Sequence, residues 1–403
     1  MKLRTTESYW LIKNGLLHSY PSLTKNLKTE IVVVGAGVTG ALISHALREA
    51  GYKVVVIDKG DVAYGSTAAT TAMLQYEVDV SLVDLSKKIG HFGAALCYHA
   101  GVEALDEIQK LVNEEKFDCS YEKKDSLLIS HSKKAAVDLK EEYELRAKVG
   151  LPVKWLTASQ VKKEYGLKCF GAILSSKAGN LDAYKLTHCL LNKNAKARKN
   201  PIQVYDQTPI KKVTETSRSV KIELENGHHI TCEQIVYCTG FQATEMLKEK
   251  VADLFDTYAV ISEENLDLPQ SLCKTLVWDT NNPYLYMRTT DDSRFLIGGE
   301  DSSFRMNILR EKLKKTRSKN LINSLKEIAP KIDFIEDFTW AGTFGQTKDG
   351  LPYIGQSPEY KRSYFVLGFG GNGITYSVQA MKILVQLLEG EESELAHFYR
   401  FGR

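Results

Sequence analysis

The most constraining feature of the sequence is a glycine fingerprint that lies between two short apolar strands. Gly35, Gly37 and Gly40 follow the β-branched run Ile31–Val34 at the G-x-G-x-x-G spacing. An amphipathic helical pattern comes next, and a second apolar strand ends on Asp58. The first glycine permits a tight turn, the second lets a pyrophosphate approach the backbone, and the third lets helix and strand pack closely. The stretch therefore predicts a βαβ unit that binds a dinucleotide at the N-terminus of its helix.

The residue that ends the second strand narrows the choice of dinucleotide. Asp58 stands eighteen residues beyond Gly40 and can accept hydrogen bonds from both hydroxyls of an adenosine ribose. An arginine, not an acid, is expected beside a 2′-phosphate. The sequence at this point favours FAD or NAD over NADP.

Composition limits the other classes of function. The chain has 403 residues, enough for two domains, and its 53 basic against 50 acidic residues are too balanced to indicate a nucleic-acid partner. A basic run at 310–319 alternates with leucines, as on the exposed face of a helix.

The cysteine and hydropathy patterns point to a reduced, cytoplasmic protein without a metal site. The seven cysteines are scattered and form no C-x-x-C pair, so neither a disulfide framework nor a zinc site is indicated. No apolar run approaches the ~20 residues that span a bilayer, and the first ten residues lack the apolar centre of a signal peptide.

The end of the chain carries a second strand, glycine loop and helix. A strand over 364–367 leads into the glycine-rich loop 368–373, and Ile374 begins a helix with apolar residues at helical spacing. Such a helix directs its N-terminus, with its partial positive charge, at a group that becomes negative.

The segments between these two units predict the remaining walls of a cavity. The hydroxyl-rich stretch 65–74 suits a loop against the cofactor, and the strand that ends at Thr239-Gly240 predicts another backbone approach to it. Asn226-Gly227 is a strong hairpin signal, and alternating strands over 255–300 predict an antiparallel sheet. A helix is predicted from Met306 to Ile328.

Several motifs, in the same order, resemble the glycine oxidase and D-amino acid oxidase family of FAD-dependent oxidoreductases. They are VVVGAGVTG with Asp58-Lys59, GSTAATTAML, AGNLDAYKL, VYCTGF, YLYMR with RFLIGGED, WAGTFGQTKDGLPYIG and LGFGGNGIT. The N-terminal Trp10 and the segment 20–23 look like the arm of the branch that oxidises γ-glutamylputrescine and related amines. Taken without the resemblance, residues 1–29 are also compatible with a loosely packed arm.

The resemblance implies an α/β fold with two intertwined domains. A Rossmann-like FAD-binding domain is expected from the discontinuous segments 30–88, 155–250 and 331–403, after an N-terminal arm at 1–29. An inserted α+β substrate domain, with a mixed and largely antiparallel sheet, is expected from 89–154 and 251–330.

The resemblance also implies a reaction and a set of residues around FAD. Family members remove a hydride from the carbon beside an amine nitrogen, water hydrolyses the imine, and oxygen or another acceptor reoxidises the flavin. The alternatives are an NAD-dependent dehydrogenase that uses the first fingerprint alone, or a flavin-binding protein without turnover. The residues expected to contact the cofactor are Gly35, Gly37, Val38, Thr39, Gly40, Asp58, Lys59, Ser66, Thr67, Thr71, Ala72, Met73, Val213, Thr239, Gly240, Gly342, Gly370, Gly371, Asn372, Gly373 and Ile374.

Departures from the family pattern bear on the substrate. Glycine oxidase-like enzymes carry, where this chain has Phe344, an arginine that grips the substrate carboxylate, and a phenyl ring cannot replace it. A simple α-amino acid is therefore disfavoured, and Arg288 is the remaining candidate to bind an acidic substrate group. Alternatively, Arg288 forms a structural ion pair or lies at the rim. Tyr284, Tyr286 and Phe344, here called the aromatic wall, suit an amine, although core packing also explains such residues.

Two absences concern the flavin. The family's cysteine-linked form needs a cysteine near Gly342 and its histidine-linked form needs a histidine in 66–74, and the sequence has neither, which predicts noncovalent FAD. Sarcosine oxidase-like members place a lysine in the strand that matches 295–297 to help oxygen accept electrons. That strand is apolar here, so both an oxidase and a dehydrogenase remain open.

Overall fold

The computed structural model describes residues 4–5, 8–264, 267–304, 307–367 and 369–403. Met306 and Gly368, which belong to a predicted helix and a predicted loop, lie outside the described residues. The helices are α1 (Tyr9–Asn14), α2 (Val38–Glu49), α3 (Ser66–Ala69), α4 (Leu82–Glu115), α5 (Lys133–Lys148), α6 (Ala158–Tyr165), α7 (Ala183–Ala195), α8 (Gln270–Cys273), α9 (Asn307–Ile328), α10 (Gly373–Glu389) and α11 (Glu394–Tyr399), with a 3₁₀ turn at Gly240–Met246.

The strands are distributed over three sheets. They are β1 (Leu27–Lys28), β2 (Ile31–Val34), β3 (Val54–Ile57), β4 (Met73–Gln75), β5 (Glu122–Ile129), β6 (Val153–Leu156), β7 (Ala172–Asn180), β8 (Gln203–Tyr205), β9 (Ile210–Glu215), β10 (Val220–Leu224), β11 (His229–Cys232), β12 (Gln234–Tyr237), β13 (Asp253–Glu264), β14 (Thr275–Asp279), β15 (Tyr286–Thr289), β16 (Arg294–Ser303), β17 (Glu336–Gln346), β18 (Tyr353–Gln356) and β19 (Ser363–Leu367).

The first sheet contains the predicted dinucleotide-binding unit. It has six strands in the order β18-β19-β12-β2-β3-β8, and β19, β12, β2, β3 and β8 are parallel. All residues of β2 and β3 are buried, as expected of parallel strands that are covered on both faces. The carboxyl ends of β2, β12 and β19 therefore meet at one edge of the sheet, where the glycine loops follow.

The second sheet is the larger one and is mainly antiparallel. Its path is β17-β13-β16-β15-β14-β5-β7-β4, with β6 paired to β7, and β14 and β5 run parallel. The long strand β13 pairs with both β16 and β17. This mixed, largely antiparallel sheet beside a parallel one confirms the predicted fold class.

A small third sheet confirms the predicted hairpin. It has the order β1-β11-β10-β9, and Gly227 in the turn between β10 and β11 has a φ of 88°. Glycine adopts this left-handed conformation without the steric cost of a Cβ atom.

The domain boundaries remain a prediction, since the two larger sheets interleave along the chain. β7 and β17 lie in segments that we assigned to the FAD-binding domain, yet both pair in the larger sheet. Strand pairing depends on distant residues, and neither segment carries a local mark of the sheet that it joins.

The N-terminal arm packs against the rest of the protein. Tyr9 and Trp10 of α1 are buried in the main hydrophobic core, so α1 anchors the arm to the rest of the protein. Across the residues that the structure describes, no helix combines the length and apolar character needed to cross a membrane.

Candidate functional site

A cavity of about 1770 Å³ lies between the two large sheets. Segments from distant parts of the chain line it, namely the first glycine loop, the stretch after α3, the residues around β15 and β16, and the loop before α10. This volume exceeds the 300–1,000 Å³ that is typical of a pocket for a small ligand. The cavity has room for a dinucleotide together with a small substrate.

The first glycine loop has the geometry that a pyrophosphate site requires. Gly35 has a φ of 103°, and a Cβ atom there would lie 2.5 Å from the carbonyl oxygen of Cys238. A Cβ atom on Gly37 would lie 2.9 Å from the Thr67 hydroxyl, and one on Gly40 would overlap the carbonyl of Gly35. Gly40 does not line the cavity, in keeping with the packing role of a third glycine.

Asp58 lies at the end of β3, where a ribose is expected. Its carboxylate accepts hydrogen bonds from the amides of Ala36, at 2.7 Å, and Gly60, at 2.9 Å. Burial raises the pKa of Asp58, and these amides lower it in part. The turn and the acid are thus fixed to each other, and both line the cavity.

The second glycine loop lies beside the first. Thr39 in the first turn of α2 makes a 2.8 Å hydrogen bond with Ser377 of α10, so the two helices begin close together. Gly370, Gly371, Asn372, Gly373 and Ile374 all line the cavity. Asn372, the residue before α10, makes no side-chain cap, which leaves the helix N-terminus available to an electron-rich group in the cavity.

An acidic residue faces the second glycine loop. The Asp79 carboxylate accepts a 2.8 Å hydrogen bond from the amide of Gly371. A Cβ atom on Gly371 would lie 3.0 Å from Asp79 Oδ1 and 3.3 Å from the Tyr284 hydroxyl. Burial raises the pKa of Asp79. Asp79 and Tyr284 therefore lie together at the beginning of α10.

The aromatic wall lines the cavity as a group. The ring centroids of Tyr284 and Tyr286 are 5.7 Å apart, and Phe344 stacks on Phe255 at 5.8 Å. Tyr284 lies just before β15, and the amide of the next residue, Leu285, donates to the Asp279 carboxylate.

A second carboxylate lies near the first. The pKa of Asp301 is raised to about 6, mainly by burial and also by the like charges of Asp79 and Glu300, while a hydrogen bond from Thr257 partly offsets this rise. Asp301 Oδ1 is buried and has no hydrogen-bond partner among the described residues. Both Asp79 and Asp301 also raise the pKa of Tyr284, after burial, which is the larger cause. We call Asp79 and Asp301 the acidic pair.

Arg288 does not line the cavity. Its side chain is only 1% exposed and its guanidinium donates to the backbone carbonyls of Thr71, Thr289 and Leu181 at 2.6–3.3 Å. Burial lowers its pKa to about 10, so it stays charged near neutrality. The geometry favours the structural alternative for Arg288 over contact with a substrate.

Most predicted cofactor residues surround this one cavity. Among them only Gly40 and Val213 are absent from its lining, and Val213 lies on β9 of the small sheet. Asp79, Asp301, Phe255 and Thr257 line the cavity but were not predicted. The one available signal was that the acids Glu300 and Asp301 directly follow the apolar and glycine-rich stretch Phe295 to Gly299.

Comparison with known proteins agrees with the geometry. The family described as FAD dependent oxidoreductase (DAO) matches residues 30–387. Glycine oxidase of Geobacillus kaustophilus is 26% identical over 92% of this chain and 96% of its own length. Gamma-glutamylputrescine oxidoreductase of Escherichia coli is 24% identical over 98% of this chain and 91% of its own.

The solved structures agree on the fold. The crystal structure of glycine oxidase from Geobacillus kaustophilus superimposes with a TM-score of 0.77 at 22% identity, over 94% of this chain and 100% of that one. The arm before residue 30 lies outside the family match.

Proposed function

This chain belongs to the family of FAD-dependent oxidoreductases, and on that premise we propose that it oxidises the C–N bond of a cationic amine. The cofactor of the family is FAD, which the residues around the cavity fit, so the NAD-dependent alternative is set aside. The proposed product is an imine that water hydrolyses. FAD is expected to be bound without a covalent link.

The observation that carries the proposal is the acidic pair beside the aromatic wall. Asp79 and Asp301 line the same cavity as Tyr284, Tyr286 and Phe344. Carboxylates attract an ammonium group, and aromatic faces stabilise it through cation–π contact. A carboxylate substrate would be repelled by the same two acids.

The position of Arg288 supports an amine over an α-amino acid. Its guanidinium is occupied by backbone carbonyls, and Phe344 stands where the resemblance implies a carboxylate-binding arginine. Arg146, which also lines the cavity, is buried and donates to Glu142 at 2.7 Å, with Glu77 at 3.7 Å. The charge of Arg146 is therefore already balanced by two buried glutamates, and the Arg288 guanidinium is bound by backbone groups.

Each group has a distinct task in the proposed reaction. When bound, FAD supplies the acceptor for the hydride that leaves the carbon beside nitrogen. The acidic pair binds the ammonium form, and Asp301 Oδ1, which has no hydrogen-bond partner in the part of the chain that the structure describes, can accept a proton from nitrogen before hydride transfer. The N-terminus of α10 stabilises negative charge on the group beside it. The final electron acceptor is oxygen or another acceptor.

Anaerobic titration tests this proposal. The purified protein, loaded with FAD, is mixed with a panel of mono- and diamines and, separately, with glycine and D- and L-amino acids. We expect amines to bleach the visible flavin absorbance and α-amino acids to do so at least about 100-fold more slowly, a difference of about 2.7 kcal/mol in barrier. Faster bleaching by α-amino acids would overturn the choice of substrate class. No bleaching by any compound would favour a flavin-binding protein without turnover.

A further inference from the structure

Three consecutive backbone carbonyls in the cavity wall are each bound by a buried side chain from another part of the chain. Trp340 Nε1 donates to Ala69 O at 2.8 Å, Trp10 Nε1 to Thr70 O at 2.7 Å, and Arg288 Nε to Thr71 O at 2.6 Å. We call residues 69–71 the cradle segment. All three of its residues line the cavity.

The cradle segment has no regular partner for these carbonyls. It begins at Ala69, the last residue of the short helix α3, and Thr70 already has extended backbone angles, with φ −66° and ψ 144°. The three carbonyls are partly buried, and a backbone carbonyl withdrawn from water needs a donor, because a fully buried unpaired one costs about 1–3 kcal/mol. The three donors are each only 1% exposed. They therefore determine how this wall of the cavity lies.

One of the donors comes from outside the family match. Trp10 is on α1, in the arm that precedes residue 30. Its ring lies against the Arg288 guanidinium, 5.3 Å from ring centroid to Cζ, while neighbouring Tyr9 stacks on Trp340 at 6.4 Å. The arm thus contacts both of the other donors as well as the cradle segment.

Two side chains of α1 also bind the turn between β15 and β16. The Tyr9 hydroxyl donates to Asp292, and the Lys13 ammonium group pairs with Asp291 and Asp292. These two acids form the turn that joins β15 to β16. β15 contains Tyr286, and β16 contains Asp301.

We propose that Trp10 is a positioning residue of the FAD site, and that the N-terminal arm connects the cradle segment to the β15–β16 hairpin. Its indole N–H fixes Thr70 O, and the neighbouring Thr71 is in reach of the Tyr286 hydroxyl. The arm thereby sets the distance between the cradle segment and the aromatic wall. This inference rests on FAD binding and not on the identity of the substrate.

The test replaces the indole while it keeps an aromatic ring. In Trp10→Phe the N–H is lost and the partly buried Thr70 O is left without this donor, so we expect the Kd of the apoprotein for FAD to rise roughly 10-fold. We also expect the visible flavin spectrum to shift. Trp155→Phe is the matched control, since Trp155 packs on Tyr143 and does not line the cavity. Flavin fluorescence gives the Kd, and a thermal melt of each apoprotein gives its stability.

The outcomes separate positioning from a general structural role. An FAD Kd within twofold of the wild type, with an unchanged flavin spectrum, would overturn the proposal. The proposal would also be overturned if Trp155→Phe weakened FAD binding as much as Trp10→Phe does, with an equal loss of melting temperature. If Trp10→Phe does not fold, Lys13→Met is used instead. This variant removes the ion pairs of α1 with Asp291 and Asp292, and we expect it to weaken FAD binding about threefold. An unchanged Kd in that variant would also contradict the proposal. Failure of amine oxidation would leave these FAD measurements interpretable.

Discussion

At the scale of the residue, the surroundings of Asp301 disfavour the ionised form of its carboxyl group. Its pKa in the folded protein is raised to about 6 from 3.8, chiefly by burial. Between these two pH values the folded protein keeps a proton that the unfolded chain releases, so stability falls as pH rises through this window. The penalty is fully present above the folded pKa. Asp301 therefore lowers the free energy of unfolding at neutral pH, as expected of a carboxylate that is kept for binding or catalysis.

We therefore expect Asp301→Asn to stabilise the apoprotein at pH 8 and to damage amine oxidation. The gain in the free energy of unfolding is at most about 3 kcal/mol, since one pKa unit corresponds to about 1.4 kcal/mol. The difference from the wild type should disappear below about pH 3, where the carboxyl group is protonated in both the folded and the unfolded state. Denaturant unfolding at a series of pH values measures it.

Kinetics of the same variant provide the functional counterpart. For the wild type, kcat/KM for an amine should fall as pH falls through about 6, because protonation removes the charge of Asp301. In Asp301→Asn the decrease of kcat/KM toward low pH should be absent. At pH 8 the kcat/KM of this variant should be about 10-fold lower than that of the wild type, or lower still. A variant that keeps both the wild-type rate and the wild-type pH profile would remove Asp301 from the proposed site.

At the scale of the element, the pairing of β15 with β16 places Tyr286 opposite Gly298. A Cβ atom on Gly298 would overlap the Tyr286 ring, so the ring lies flat over the neighbouring strand only because that residue is glycine. The Tyr286 hydroxyl then lies 3.5 Å from Thr257 on β13. The orientation of one cavity-lining ring is thus a property of two paired strands.

Gly298→Ala should accordingly move the Tyr286 ring without removing it. We expect kcat/KM for the amine to fall roughly 10-fold, the order of one lost cation–π contact in a desolvated site, with FAD affinity changed less than twofold. A double variant that combines Gly298→Ala with Tyr286→Ala tests the cause. Once the Tyr286 ring is absent, Gly298→Ala should lower kcat/KM only slightly further. Equal losses in both backgrounds would show that Gly298 acts through something other than Tyr286.

At the scale of the whole molecule, the parts that could be predicted are those that are local in the sequence. The fingerprint at Gly35 to Asp58 and the hairpin at Asn226-Gly227 were predictable since contiguous residues determine each of them. The indole of Trp10 could not be assigned, because its partner is a carbonyl sixty residues away. The same holds for Asp79 and Asp301, which lie near each other only when the two large sheets meet at the cavity.

A cavity assembled from such distant segments links FAD binding to global stability. The two glycine loops, the cradle segment and β15 come from separate parts of the chain, so a ligand that contacts all of them binds the folded state alone. At 100 times its Kd, FAD should add about 2.7 kcal/mol to the free energy of unfolding, which for 403 residues raises the melting temperature by roughly 3 °C. NAD contains the adenosine half but lacks the flavin that would reach the second glycine loop, so it should raise the melting temperature far less at the same concentration. Differential scanning fluorimetry of the apoprotein compares the two, and equal shifts would mean that the region around α10 contributes nothing to cofactor choice.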